Sequence, residues 1–316
     1  MEFENLNDYH IEAAARLALA EYFEERGKVP LLPDGEYYER FCEMIAGLVD
    51  HHLGIAALED GRLIGFLTCY KPWNDHFGTA GTFSPVHAHG AIENRRKRVY
   101  SLLYQKAAAQ WVKEGVLSHA VALYAHDAEA LNSFFWNGFG LRCVDAIRDA
   151  VPVPCNEFPD YTFGVLPASA IAQIVPLKNL LIDHLRKAPM FIPLSADRDT
   201  AKVKEENNRR KSRYFTAKDN DRTIAFIEIA PSGENFACDD PGMINICGAY
   251  LLPEYRGKGV YTKLLAVLLE TIQLEGYTRC GVDFESLNPT ASGFWLKHFT
   301  AYTYSVARRI GARIHS

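Results

Sequence analysis

Two glycines and the residues around them form the segment of this sequence with the clearest chemical signature. Residues 251–261 read LLPEYRGKGVY, in which Pro253 ends one apolar run and Gly257 and Gly259 precede another at helical spacing. Glycine adopts backbone conformations that other residues resist, and it lets a ligand approach the main chain closely. The free N–H groups at the start of the following helix favour an anion. The segment therefore predicts a turn that binds a phosphate or pyrophosphate.

Two carboxylates follow about 25 residues later in the chain. Asp283 and Glu285 lie two residues apart in a predicted strand, so their side chains share one face of it.

The glycine turn is neither of the two common nucleotide-binding loops, because GxxxxGK followed by Ser or Thr is absent and GxGxxG would need glycine in place of Thr262. The pattern indicates anion binding by a different kind of turn.

Two segments of the chain carry a resemblance to a known family. RGKGV at 256–260, after a strand and before an amphipathic helix, resembles the acyl-CoA-binding motif of the GNAT N-acetyltransferase superfamily, Arg/Gln-x-x-Gly-x-Gly/Ala, with Tyr261 replacing the last small residue. NPTA at 288–291, with Phe294-Trp295 and Phe299, is similar to the family's Asn-x-x-Ala…Leu-Tyr…Gly-Phe segment. In element order the resemblance covers residues 168–316.

The resemblance implies acetyl-CoA as the acyl donor and an amine of a small molecule or peptide as the acceptor. It implies that the backbone near residues 251 and 252 holds the thioester carbonyl, that the 256–261 backbone holds the pyrophosphate, and that Asn288 meets the pantetheine arm. The residues implied in binding the co-substrate are Leu251, Leu252, Arg256, Gly257, Lys258, Gly259, Val260, Tyr261 and Asn288.

Direct attack by an amine needs a base for the ammonium proton and an acid for the leaving thiolate. Glu285, beside the expected pantetheine arm, is the preferred base, with Asp283 on the same face; a purely structural carboxylate is the alternative. The family's usual acid is a tyrosine where this chain has Trp295, which cannot donate a proton at neutral pH. Tyr302 and Tyr304 are nearby candidates, although strand aromatics more often pack. The acid is therefore unassigned.

The elements that position these residues occur twice in the chain. At an offset of 161, residues 95–136 align without a gap with 256–297 and share nine identities in 42 positions. At an offset of 160, the first helix and the hairpin of each copy also align. The order predicts an α/β (mixed α+β) fold: two tandem GNAT-like domains, each a central mixed, mostly antiparallel sheet flanked by helices. The predicted boundaries are 1–150, a proline-rich extended connector at 151–167, and a catalytic domain at 168–316.

The first copy lacks what the resemblance requires. Arg96 and Arg98 stand at the positions of the two glycines, Ala122 and Tyr124 at those of the two carboxylates, and Asp127 at that of Asn288. We therefore predict a degenerate first domain that walls the acceptor pocket or stabilises the second copy. Weak CoA binding by its basic run is the alternative, although a charge run is usually a solvated surface. Residues 72–93 form an unusually long predicted loop, which suits a lid or an acceptor contact.

Composition excludes several classes of protein. The chain has 316 residues, 48% of them hydrophobic and 23% charged, with a net charge of −5, which argues against disorder and against general attraction to nucleic acid. No apolar run reaches the roughly 18 residues of a membrane span, and the N-terminus does not read as a signal peptide. Seven scattered cysteines without a CxxC pair indicate reduced thiols and a cytoplasmic protein.

The histidines raise the question of a metal site, and the sequence as a whole leaves two functions open. His87 and His89 with His76 have no cysteine or carboxylate at ligand spacing, so no metal is predicted. The leading interpretation is a tandem GNAT-type N-acetyltransferase. The alternative is a CoA-binding regulatory or interaction protein without turnover, which the missing tyrosine and the degenerate first copy favour.

Overall fold

The computed structural model of the chain describes residues 1–74, 78–194 and 198–315. They form two compact units: unit 1 comprises the described residues of Met1–Val144 and Ala301–Ser316, and unit 2 those of Asp145–Thr300. The last strand of the second sequence copy thus belongs to unit 1. This division differs from the linear boundaries expected from the repeat, because strands pair through space with partners that are distant in sequence.

The first copy supplies seven strands and four helices among its described residues. They are β1 (Glu2–Asn5), α1 (Ile11–Lys28), α2 (Tyr38–Val49), β2 (Ile55–Glu59), β3 (Arg62–Leu67), β4 (Gly81–Ser84), β5 (His89–Ala91), α3 (Arg96–Lys113), β6 (Ser118–Tyr124), α4 (Ala128–Trp136) and β7 (Gly140–Asp149). The chain passes from unit 1 into unit 2 within β7.

The second copy repeats the same order of elements. It contains β8 (Tyr161–Val165), α5 (Val175–Arg186), α6 (Thr200–Arg210), β9 (Arg213–Asp219), β10 (Arg222–Ala230), β11 (Met243–Leu251), α7 (Val260–Leu274), β12 (Arg279–Glu285), α8 (Pro289–His298) and β13 (Thr300–Arg309).

Strand pairing confirms the predicted mixed, mostly antiparallel fold class. In unit 1, β1, β2, β3 and β5 form one antiparallel sheet, and β6 lies between a parallel β4 and an antiparallel β13. In unit 2, β8, β9, β10 and β11 are successive antiparallel neighbours, and β12 runs parallel to β11.

Two segments expected as irregular chain contain strands. Within 72–93, β4 pairs with β6 and β5 pairs with β3, so this predicted loop contains two short strands; residues 75–77, including His76, lie outside the described residues. Within the proline-rich 151–167, the five residues Tyr161–Val165 carry no proline and pair antiparallel with β9. All three strands are short, and their partners are distant in sequence.

Local chemistry explains a turn in unit 1 and the packing of a helix in unit 2. The β2–β3 hairpin turns at Asp60 and Gly61, both with positive φ, as a two-residue primed turn requires. The helix α7 buries an apolar stripe that includes Leu264, Leu265 and Leu268. This stripe packs α7 against the sheet at β8, β9 and β10.

Candidate functional site

A cleft opens in unit 2 beside the start of α7. Its volume is about 380 Å³, and it is bounded by α5, the end of β11, the turn before α7, and α8. The residues that line this cleft are Leu181, His184, Ala249, Tyr250, Leu251, Arg256, Gly257, Tyr261, Asn288, Thr290, Ala291, Gly293, Phe294 and Trp295. Five of the nine residues predicted to bind a co-substrate are among them. The walls are mainly apolar and aromatic, with few polar groups, as in most small-molecule sites.

The turn between β11 and α7 has the backbone that its two glycines predicted. Gly257 has φ +74° and Gly259 has φ +85°, in the left-handed region where a side chain is strained. A Cβ on Gly259 would also lie 3.3 Å from the ring of Phe158. The N–H of Lys263 donates to the Gly259 carbonyl at 3.1 Å as α7 begins. The N–H groups of 260–262 precede that bond, so they are the orphan donors of the helix start.

Two basic side chains flank this turn in different ways. The Nε of Arg256 donates to the Leu251 carbonyl at 3.1 Å, and its guanidinium lies 5.5 Å from the centre of the Tyr250 ring. These contacts hold Arg256 in the wall of the cleft. Lys258 is exposed, with its Nζ 5.8 Å from the ring of Tyr255. Arg256 is therefore positioned in advance, and Lys258 remains a surface cation.

The N–H groups expected to hold a thioester carbonyl are partly engaged. The N–H of Leu252 donates to the Ile224 carbonyl at 3.0 Å, and the Leu252 side chain is buried, as is that of Val260. Leu251, by contrast, lines the cleft. Of the two strand-end positions, the structure therefore places only Leu251 at the cleft.

Asn288 caps α8 and meets a histidine that sequence reasoning did not single out. Its Oδ1 accepts from the Thr290 hydroxyl at 2.7 Å and from the Ala291 N–H at 3.4 Å. The Nε2 of His184 lies 3.3 Å from the same oxygen, and the His184 ring meets Tyr250 edge-on. His184 lies in the last turn of α5, where a helix favours basic residues. That preference is the only feature of the sequence that could have drawn attention to His184.

Aromatic side chains form one wall of the cleft. Trp295 is buried and packs against Phe294 and Phe299, with ring centres 4.9 and 5.5 Å apart. The Tyr261 hydroxyl donates to the Phe226 carbonyl at 3.1 Å, and burial raises the pKa of Tyr261 well above 10. Tyr261 is consequently a structural phenol, and Trp295 cannot supply a proton.

The two predicted carboxylates lie on β12, outside the cleft lining. Burial raises the pKa of Asp283 to about 8, and the nearby carboxylates of Glu234 and Asp145 add to this against an opposing Arg210. The Glu285 carbonyl accepts the Asn288 N–H at 3.0 Å, which ties the end of β12 to α8. Asp283 therefore sits in an acidic environment, which favours a neutral carboxyl or a cationic neighbour.

Tyr302 lies in unit 1, whereas every residue of the cleft lies in unit 2. Its side chain is buried in β13, and its carbonyl accepts the Ala125 N–H at 3.0 Å.

The described residues contain no group of three His, Cys, Asp or Glu side chains that could hold a metal. His89 is engaged with the Tyr100 hydroxyl at 2.8 Å and the Ala122 carbonyl at 2.7 Å. No helix in the described part of the chain is long and apolar enough to cross a membrane.

Comparison with known proteins gives a family match within unit 2 and a similar fold for the chain. Residues 180–299 match the model of the acetyltransferase (GNAT) family. A GCN5-related N-acetyltransferase from Sphaerobacter thermophilus has a similar structure, with a TM-score of 0.62 and 13% identity over 98% of this chain and 95% of that one. A tandem GNAT protein from the clavulanic acid biosynthesis pathway gives a TM-score of 0.50 and 13% identity over 98% of both chains. No curated protein matches in sequence. Identities this low show the fold alone, and that fold spans both copies.

Proposed function

We propose that unit 2 is an acyl-CoA-dependent N-acyltransferase, because residues 180–299 match the acetyltransferase (GNAT) family model and the chain is similar in structure to a tandem GNAT protein. The donor we propose is acetyl-CoA, and the acceptor is an amine of a small molecule or peptide. The observation that carries the proposal is the turn with left-handed Gly257 and Gly259, where a helix begins beside a largely apolar cleft.

The residues present fit such a donor. The orphan N–H groups at the start of α7 suit a pyrophosphate, and a side chain at Gly259 would crowd that approach. Arg256 adds a fixed cation, and the walls around Leu251 and Trp295 suit an extended, mostly apolar arm. Asn288 also lines the cleft, and we propose that it binds the amides of this arm. Bound there, acetyl-CoA would supply an acetyl group activated as a thioester.

Proton transfer is the task left to the side chains. The raised pKa of Asp283, about 8, makes its ionised form a stronger base than an ordinary carboxylate, and that form predominates above pH 8, where it can take a proton from an ammonium group. The acidic surroundings of Asp283, with Glu234 and Asp145, favour a cationic amine as the acceptor. Glu285, the base preferred from the sequence, is the alternative to Asp283, and no acid is assigned in unit 2. Direct attack by the amine requires no protein nucleophile.

Cellular location and a second function complete the proposal. All seven cysteines are free thiols, which supports a cytoplasmic protein. A CoA-binding protein without turnover is the second candidate, and one observation favours it: Trp295 is buried in the cleft wall at the position where the family carries its proton-donating tyrosine.

Donor binding is tested by calorimetric titration of acetyl-CoA into the natural chain and into two arginine variants. Gly259→Arg places a side chain in the turn, whereas Gly276→Arg, at φ +94° with open space around it, imposes similar backbone strain away from the cleft. We expect one site per chain, lost in Gly259→Arg and kept in Gly276→Arg. No binding to the natural chain would refute the proposal.

Turnover separates the two candidate functions. Release of the CoA thiol is followed with acetyl-CoA and a panel of diamines, amino sugars and peptides. We expect turnover that falls by about 10²-fold or more in Asp283→Asn while acetyl-CoA binding is unchanged. The same assay on Glu285→Gln ranks the two carboxylates. Tight donor binding without turnover on any amine would favour the regulatory function.

A further inference from the structure

The unit-2 cleft has a counterpart in unit 1 whose residues differ in a coordinated way. The repeat offsets of 160 and 161 relate five cleft positions of unit 2 to five positions of unit 1. Leu181, His184, Gly257, Tyr261 and Asn288 correspond to Glu21, Glu24, Arg96, Tyr100 and Asp127. Unit 2 therefore has no acid at the three positions where unit 1 has one, and a glycine where unit 1 has an arginine.

In unit 1 these residues bind one another. Arg96 is 5% exposed, and its guanidinium forms a two-pronged pair with Glu24 at 2.6 and 2.9 Å. The same group donates to Asp127 at 3.1 Å and to the Ala91 carbonyl at 3.3 Å, and it lies 3.4 Å from a Glu21 oxygen. All three guanidinium nitrogens have an acceptor. Planar, bidentate pairing of this kind is the strongest that arginine makes.

Glu21 forms the inner end of this group of side chains. Its carboxyl accepts the Tyr100 hydroxyl at 2.8 Å and the Ala91 N–H at 2.9 Å. The Tyr100 hydroxyl also lies 2.8 Å from the His89 ring nitrogen. Polar side chains thus fill the space between α1, α3 and the start of α4, the counterpart of the space that the unit-2 cleft occupies.

The backbone of the turn differs as well. In unit 1, α3 already begins at Arg96, whereas α7 begins at Val260, three residues later when the offset of 161 is applied. The residues matching Gly257–Gly259 are consequently the first helical turn of α3. Arg95 takes the left-handed position before it, with φ +93°. The anion-binding turn is therefore wound into helix in this copy.

We propose that Arg96 is an internal ligand of unit 1, its guanidinium held by Glu21, Glu24 and Asp127 in the cleft that unit 2 keeps open. Unit 1 accordingly binds no acyl-CoA and holds α1, α3 and α4 together without one. The three acidic side chains together form a site that recognises a guanidinium group, and Arg96 occupies it. This inference goes beyond the function proposed for unit 2 and does not depend on acyl-CoA use there.

Chemical rescue tests whether the site recognises a guanidinium. Arg96→Ala keeps the helix but removes the guanidinium from the site. Arg98→Ala, two residues later in the same helical turn and exposed, is the matched control. We expect Arg96→Ala to lower Tm by roughly 10 °C and Arg98→Ala to leave it nearly unchanged. Methylguanidinium at 20 mM should raise Tm of Arg96→Ala alone by about 2 °C, saturably, whereas methylammonium should not. An unchanged Tm, or no saturable rescue, would overturn the proposal.

A second readout is the sign of the Tm change that Asp127→Asn causes with and without Arg96. It also applies if Arg96→Ala folds poorly. Asp127→Asn keeps the N-cap of α4 and copies Asn288. In the natural chain it should lower Tm, because Arg96 loses a partner. Beside Arg96→Ala it should raise Tm or the yield of folded protein, because it removes a largely buried acid that has lost its arginine. Destabilisation of the same size in both backgrounds would contradict the inference. Neither test uses acyl-CoA, so failure here is distinct from failure of the proposed function.

Discussion

Replacing Glu21 by glutamine should remove a pH dependence of stability that the natural chain carries. Glu21 is 2% exposed, and burial raises its pKa from 4.5 to about 8, against the opposing charge of Arg96. Between those pH values the folded state holds a proton that the unfolded state has released. The free energy of unfolding therefore falls as pH rises through this window, by about 1.4 kcal/mol per pH unit. Glutamine copies the protonated carboxyl and does not titrate.

Other buried groups decide where this effect can be measured. Burial lowers the pKa of His87, His89 and His119 to about 4, so below pH 6.5 these rings make stability rise with pH and oppose Glu21. Asp283, whose pKa is also raised to about 8, has the same sign as Glu21 but lies in unit 2. The range from pH 6.5 to 8, taken as a difference between variants, isolates Glu21.

The assay is urea unfolding at four pH values across that range, followed by tryptophan fluorescence. Trp111 is fully buried in the core of unit 1 and reports on it. The natural chain should lose roughly 2 kcal/mol between pH 6.5 and 8 relative to Glu21→Gln. Glu12→Gln, at a charged and exposed position on the same helix, should behave like the natural chain. Equal slopes in the natural chain and Glu21→Gln would refute the reasoning.

Three further perturbations have defined outcomes. Gly257→Ala should cost about 1 kcal/mol of backbone strain, and Gly259→Ala more because of the Phe158 ring; thermal unfolding ranks them, and equal costs would contradict the geometry. Lys178→Met should cost about 3–5 kcal/mol, since it strands the buried Glu228, 2.9 Å away; chemical unfolding should show much of this recovered in the double variant with Glu228→Gln. His184→Ala should weaken acetyl-CoA binding by about 2–10-fold in calorimetry, and an unchanged affinity would place His184 outside the donor's path.

What could be predicted from the sequence was local. The turn before α7 follows from two glycines and a proline, because positive φ and a missing N–H act within a few residues. The repeat also predicted that the first copy would lack this turn. These features need no knowledge of distant partners.

What could not be predicted from the sequence was which charged side chains are buried. The run 95–98 reads as a solvated surface, yet Arg96 is buried while Lys97 and Arg98 are exposed. The difference arises because Glu24, 72 residues earlier, meets Arg96 across the fold. The acidic surroundings of Asp283 likewise come from several distant segments. Pairing over such separations is set by packing, which periodicity and spacing do not encode.

The return of β13 to unit 1 has a consequence for protein synthesis. β6 pairs with β13 over seven residues, from Thr303 with Tyr124 to Arg309 with Ser118. A ribosome finishes β6 long before it reaches β13, and at 5–20 residues per second the interval is roughly 10–35 s. Through that interval one side of β6 has no strand beside it. The nascent first unit therefore waits for β13 to be synthesised, and a chain that stops before β13 would leave β6 without this partner.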